Sequence, residues 1–257
     1  MNTIAQRASP LLGKLTIDHG PAELLNRFFQ HADAAARARG VMLSFGDMAE
    51  LIEVNEENRD SWLPLFPTYD IRCNTIRPEE AFCILGRDRG GKVVATHAGR
   101  LFNLRFSNFH DLAQSLHLMY EHPDRSKRPG ETCEVTAKEA RSIAGNVVFS
   151  GAAWYHPDYR GKELSRIIPI LSRAYAFTRW NMDYVVAMMS EGVVRGGMTE
   201  RTGYTNIDWD IRVTNSPLGN VRFAFMWMDP RQLLADIDKF VARSEGRAPD
   251  ILEQRRA

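Results

Sequence analysis

Between Tyr155 and Ser165 the chain reads Tyr-His-Pro-Asp-Tyr-Arg-Gly-Lys-Glu-Leu-Ser, and Arg160 and Lys162 place two mobile cations on either side of Gly161. Cations beside a glycine at the start of a helix suit an anion. The first helical turn has backbone N–H groups without intrahelical partners, and it lies at the positive end of the helix dipole. A phosphate ester fits that chemistry, although a basic strand-to-helix turn also serves as an ordinary connection. Groups that could move protons are sparser. The run Val147 to Tyr155 contains no carboxylate, so a general base must come from Glu134, Glu139, His97 or His156. Ser190 and Tyr204 carry hydroxyls able to protonate a leaving group.

Two elements must position these residues. Val147 to Tyr155 is an apolar run with β-branched and aromatic residues, which predicts a buried strand, and it stops at His156-Pro157 because proline cannot donate to a ladder. Beyond the basic turn, Leu164, Ile167, Ile168, Leu171, Ala174 and Tyr175 recur at spacings of three and four, which predicts one face of a helix. Pro169 falls past the first turn of that pattern, so the helix must bend or start late.

The eight residues from Tyr155 to Lys162 resemble the acyl-CoA loop of the GNAT acyltransferase superfamily, where V-x-P-x-x-R-G-x-G-x-G/A follows the fourth strand. The resemblance implies an α/β fold: a mixed, mostly antiparallel central sheet with helices on both faces and with strands 4 and 5 parallel and splayed. It implies acetyl-CoA or another acyl-CoA as co-substrate, held by Ala153, Tyr155, Arg160, Gly161, Lys162, Glu163, Leu164 and Ser165. The implied reaction is acyl transfer, acetyl above all, to an amine of a small molecule or peptide.

Glu163 stands where that family has glycine, and Ser165 occupies its small-residue position. Glycine there lets backbone approach the phosphates, and a carboxylate facing them is repulsive unless it turns away. A donor with a single phosphodiester, the prosthetic arm of an acyl carrier protein serving an N-acyl synthase, is therefore an alternative to CoA. The family's pattern N-x-x-A-x-x-L-Y-x-x-x-G-F/Y ends here at Gly203-Tyr204, but Thr199 occupies its tyrosine position. The catalytic candidates are Tyr204, Ser190 and Glu134. A thiol of ordinary pKa, about 8.5, needs little help to leave. The same departures suit a GNAT-like protein that binds acyl-CoA without turnover.

The rest of the chain predicts a GNAT-like domain over residues 41–228. An N-terminal helical extension precedes it over 1–40, with no clear period before Asp18, and a C-terminal helix and polar tail follow over 229–257. Pro21 to Arg39 reads as a helix stopped by Gly40, Val41 to Phe45 as a strand, and Asp47 with Glu50 as a capping box. Arg59 to Pro78, broken by prolines yet rich in aromatics, reads as a packed segment on the substrate side. Ala81 to Arg87 and Lys92 to Leu104 flank a hairpin turn at Asp88-Arg89-Gly90-Gly91.

Phe109 to Tyr120 reads as a helix with His110 and His117 on its surface, His122 to Gly130 as a mobile loop, and Thr132 to Lys138 as a short strand. Tyr184 to Met189 is a buried strand and Gly192 to Thr202 a helix capped by Gly203. Tyr204 to Val213 and Val221 to Met228 are strands joined by a loop over 214–220, and Arg231 to Arg243 is an amphipathic helix.

With 257 residues, 44% hydrophobic and 25% charged, the chain is expected to bury a substantial core. A formal net charge of +1 gives no general attraction to nucleic acid or acidic lipid, and short basic clusters such as Arg255-Arg256 read as solvated surface. Cys73, Cys83 and Cys133 are odd in number and far from C-x-x-C spacing, which argues against a disulfide framework and a structural zinc site. No carboxylate completes a metal set with His110 and His117, so no metal is expected. With neither a signal-peptide pattern nor an apolar run near the roughly 20 residues of a membrane helix, a soluble, cytoplasmic protein is expected.

Overall fold

The computed structural model describes residues 9–246. The expectations for the first eight residues and for the polar tail with Arg255 and Arg256 lie outside them. A 3-10 turn at Leu12–Lys14 leads into helix α1 (Ala22–Ala38), which starts after Pro21 and stops where Gly40 takes a φ of 79°. Strand β1 (Met42–Gly46) follows, then α2 (Met48–Glu57), where the Asp47 side chain accepts the Glu50 N–H at 2.8 Å as the capping box predicts. Strands β2 (Ala81–Arg87) and β3 (Val93–Leu104) form the expected antiparallel hairpin.

Next come α3 (Phe109–Gln114), α4 (Pro123–Ser126), β4 (Thr132–Val135) and β5 (Gly145–Tyr155). The chain closes with α5 (Ile168–Trp180), β6 (Tyr184–Ser190), α6 (Glu191–Arg195), α7 (Met198–Thr202), β7 (Asn206–Ser216), β8 (Gly219–Met228) and α8 (Pro230–Ser244).

All eight strands join one sheet in the order β1-β2-β3-β5-β6-β8-β7-β4, and every neighbouring pair is antiparallel except β5 and β6. That parallel pair is the one expected on either side of the crossover helix. Several expected boundaries move. The helix from Phe109 ends at Gln114, and Leu116 follows in a left-handed conformation at φ 67°. The helix expected over 192–202 is two short helices, broken at Gly197 with φ 72°. Strands β7 and β8 run on to Ser216 and Gly219, so the loop expected over 214–220 shrinks to Pro217 and Leu218. A turn of helix, α4, occupies part of the expected 122–130 loop, and β4 stops at Val135.

Helices α1, α5 and α8 cover one face of the sheet and share a core that includes Phe28, Leu171 and Ile237. The other face is filled by Leu51, Tyr69, Phe109 and Phe225, and Tyr69 belongs to the 59–78 segment, which packs as expected. The boundaries at residues 40 and 228 therefore fall between elements that share a core. Helices α1 and α8 pack against α5, which is buried around nearly its whole circumference, so that even Ser172, Arg173 and Thr178 are inaccessible. Among the described residues no helix is long and apolar enough to cross a membrane.

Candidate active site

The sheet is split at its centre. Strands β5 and β6 pair only from Val147 opposite Tyr184 to Phe149 opposite Val186. Beyond that point β5 runs on against β3 and β6 against β8, so the two diverge toward their C-terminal ends. A bulge in β5 accompanies the split. Gly151 faces Ala98 and Trp154 faces Thr96, leaving Ala152 and Ala153 opposite the single residue His97, with Ala152 at φ 51°. A bulge of this kind bends its strand and increases its twist. At the apex the Tyr69 hydroxyl donates to the Phe149 carbonyl at 2.9 Å, and a Cβ on Gly151 would meet the same ring at 3.2 Å. Glycine at 151 is what lets Tyr69 reach the apex.

A cavity of about 590 Å³ runs through the split. Trp62, Leu63, Phe66, Tyr69, Phe149 and Phe223 line it on one side of the sheet, with Trp62 stacked on Trp154 at a ring separation of 5.3 Å. On the α5 side it meets Arg160, Glu163, Leu164, Pro169, Arg173 and Tyr204. Leu63 is 67% exposed and Val193 42%, so apolar lining continues to the surface.

At the loop, Gly161 and Glu163 both take left-handed conformations, at φ 79° and 57°. The N–H groups of Gly161, Glu163, Leu164 and Ser165 have no hydrogen-bond partner among the described residues, the arrangement of a backbone anion nest. Glu163 thus holds the backbone shape that glycine would supply. Its carboxylate turns to Arg39 Nη2 at 2.9 Å and Arg166 Nε at 3.8 Å, while Arg39 Nε also donates to the Lys162 carbonyl at 2.8 Å. Arg160 donates to the carbonyls of Tyr155, at 3.2 Å, and Ser61, at 3.1 Å, tying the loop to the 59–78 segment. Lys162 Nζ lies 3.8 Å from the centre of the Tyr159 ring. A 3-10 turn at Leu164–Arg166 delays α5 until Ile168, so Pro169 sits in the first turn, where its missing N–H costs nothing.

The structure brings most of the candidate residues together. Ala153, Tyr155, Arg160, Gly161, Glu163, Leu164, Ser165, Ser190 and Tyr204 line the cavity, and Lys162 is in the same loop beside it. Glu134 is elsewhere. It is exposed on β4 at the sheet edge, three strands from β6 counting inward through β7 and β8, and its carboxylate lies 3.7 Å from Arg212. Alternation along β4 sets Glu134 opposite in facing to buried Cys133, but it does not set the place of β4 in the strand order. His156 lies outside the lining and contacts Lys92 Nζ at 3.0 Å. His110 is buried rather than on the surface, with its ring nitrogens partnered by Asp111 at 2.8 Å and Arg141 at 2.7 Å; His117 is exposed as expected. Among the described residues no group of histidine, cysteine or acidic side chains could hold a metal ion. Burial pushes the Cys83 and Cys133 thiols up to about 12, so neither supplies a thiolate at neutral pH.

Arg173 is a cavity residue that no motif of the sequence singles out, whereas Tyr69 comes from the 59–78 segment expected on the substrate side. His97, considered only as a base, is buried, lines the cavity and shares Nδ1 with Ser172 Oγ at 2.9 Å. Burial, reinforced by the nearby Arg173 cation, lowers its pKa to about 3. The unfolded chain, with an ordinary histidine near 6.5, binds a proton through the window between those values that the folded chain refuses. Stability is therefore present above pH 6.5 and lost as pH falls. Going from pH 6.5 to 5 is expected to remove about 2 kcal/mol through this residue. Urea unfolding at the two pH values checks this: the loss should shrink in His97→Gln, and an equal loss in both proteins would remove the assignment.

No protein-family model matches the sequence, and no curated protein matches it. The solved structures to which the chain is similar include acetyltransferases. A mutant of the spermidine N-acetyltransferase SpeG from Vibrio cholerae is 11% identical, with 76% of this chain and 96% of that one covered at a TM-score of 0.46. AAC(6')-Ib, solved with acetyl-CoA, is 12% identical, with 75% and 95% covered at a TM-score of 0.40. At these identities and scores the similarity assigns neither an activity nor a substrate to this chain.

Proposed function

We propose that this chain transfers an acyl group from a CoA thioester to the amine of a small, largely apolar molecule, inside the cavity between β5 and β6. The observation that carries the reading is the junction of an opened parallel strand pair with a loop whose four unpartnered N–H groups line up beside Arg160 and Lys162. Such a loop suits the phosphates of the donor, and the gap between the strands suits its thioester arm. Arg39 and Arg166 balance the Glu163 charge. That pairing weakens the repulsion argument for a carrier-protein donor and favours a free CoA thioester.

In the reaction the amine lone pair attacks the thioester carbonyl carbon. A C–N bond forms, negative charge gathers on the oxygen, and the C–S bond then breaks to leave a thiolate. Backbone N–H groups of β5 beyond Phe149, where pairing with β6 has ended, are available to the oxyanion. The Tyr204 hydroxyl, buried in the cavity wall without a partner, and the Ser190 hydroxyl are the proton donors for the thiolate. The proton shed by the amine is the harder one to place. Glu163 is the one carboxylate among the described lining residues and is held by Arg39, while His97 is too weakly basic. An amine that arrives uncharged needs no strong base, because the proton it sheds on attack can pass to the Tyr204 or Ser190 oxygen that has given its own to the thiolate. That one lining carboxylate is already paired with Arg39, which leaves a polycation without a counter-ion among the described lining residues.

The test is thiol release from acetyl-CoA with a panel of arylamines and spermidine. Release with arylamines at a kcat/KM at least about tenfold above that with spermidine is the expected result. Thermal stabilisation by acetyl-CoA without release would make this a binding protein, and neither effect would end the acyl-transfer reading.

A further inference from the structure

We propose that Arg173, Tyr155 and Tyr204 form a subsite for a carboxylate on the α5 side of the cavity. The proposal deepens the acyl-transfer reading of the same cavity and rests on it for the donor arm of the test below. Arg173 is 2% exposed, and its guanidinium lies over the Tyr204 ring, 4.9 Å from the centroid. Nη2 donates to the Thr202 carbonyl, but Nε and Nη1 have no partner. The hydroxyls of Tyr155 and Tyr204 are buried and equally unpartnered, and all three side chains line the cavity. Buried donors left unpaired are costly, the more so on a cation, and three residues sharing this defect at one wall indicate a ligand that supplies the acceptors.

The charge of the ligand follows from the surroundings. Among the described residues no carboxylate lies within ion-pair distance of Arg173. Asp236 feels the Arg173 charge but contacts Lys239, at 3.6 Å; burial raises its pKa against the pull of Lys239 and Arg173. His97, beside Arg173, is neutral at pH 7 and adds no second cation. Burial, opposed by Arg173, pushes the Tyr155 phenol above its ordinary range, so it stays a donor. One cation flanked by two phenol donors matches one carboxylate in charge and in acceptor count, and with the Tyr204 O–H so engaged Ser190 is the donor left for the thiolate. A phosphate with two charges is better served by the loop.

That carboxylate has two possible sources: the far end of a dicarboxylic acyl group on the thioester, or the acceptor if it is an amino acid. Calorimetric titration of the intact chain with two matched pairs separates them. The pairs are succinyl-CoA with butyryl-CoA, and L-phenylalanine with phenethylamine. In one pair the carboxylate-bearing probe is expected to bind at least about tenfold more tightly. Arg173→Gln should bring the two members of that pair to within about twofold of each other, and Tyr204→Phe should narrow the gap. Preference within the first pair assigns the subsite to the donor, and within the second to the acceptor. The absence of preference in both pairs, or a preference unchanged in Arg173→Gln, overturns the proposal. If that variant fails to fold, the wild-type pairs and Tyr204→Phe still decide it. If no CoA thioester binds at all, the donor reading of the loop fails, and the amine pair still tests the subsite.

Discussion

Ala153→Trp is expected to weaken acetyl-CoA binding by at least about 100-fold, near 2.7 kcal/mol, while the melting temperature stays within about 2 °C of wild type. Ala153 is the second residue of the β5 bulge and is exposed although its strand is in the middle of the sheet, because β6 has already turned away. An indole there projects into the gap that the thioester arm needs and displaces no buried neighbour. Titration of acetyl-CoA alongside a thermal melt measures both quantities. Wild-type affinity in Ala153→Trp would mean that the donor does not thread the split.

Phe28→Ala is expected to cost about 3–5 kcal/mol of folding stability, or roughly 6–20 °C in melting temperature. Phe28 is fully buried on α1, with ring centroids 5.5 Å from Phe29 and 5.3 Å from Phe240 of α8. Deleting its ring leaves a cavity in the core that also supports α5. Phe106→Ala, at a side chain 97% exposed, should change the melting temperature by little and serves as the control. A loss of less than about 2 °C in Phe28→Ala would make α1 an appendage rather than part of the fold.

The features legible in the sequence were those set by local rules. Proline after an apolar run ended β5 at Tyr155, helical spacing announced α5, and a strand, helix, strand order required β5 and β6 to be parallel. Pro169 signalled the late helix start for the same reason. Less legible was anything decided by a third element. Arg173 stands outside the apolar series that announces α5, and it is buried against the Thr202 carbonyl and the Tyr204 ring, which a later part of the chain brings to it. Glu163 in place of glycine reads as a clash with phosphate. Arg39, more than a hundred residues away in sequence, turns that carboxylate aside. Glu134 alternates correctly with buried Cys133, yet strand order puts it at the sheet edge.

That sheet edge also bears on how the chain folds. Strand β4 precedes β5 in sequence but pairs only with β7, from Thr132 opposite Thr214 to Val135 opposite Ile211. Its ladder cannot close until most of the chain has been made and the β7–β8 hairpin stands. Closing so long a loop brings an entropic cost before any contact rewards it, and non-local pairings of this kind slow folding. The segment carrying α3, α4 and β4 should therefore dock in a late step. Substitutions in β4 should then speed unfolding and leave the folding rate nearly unchanged, whereas substitutions in the β2–β3 hairpin have a local partner from the outset.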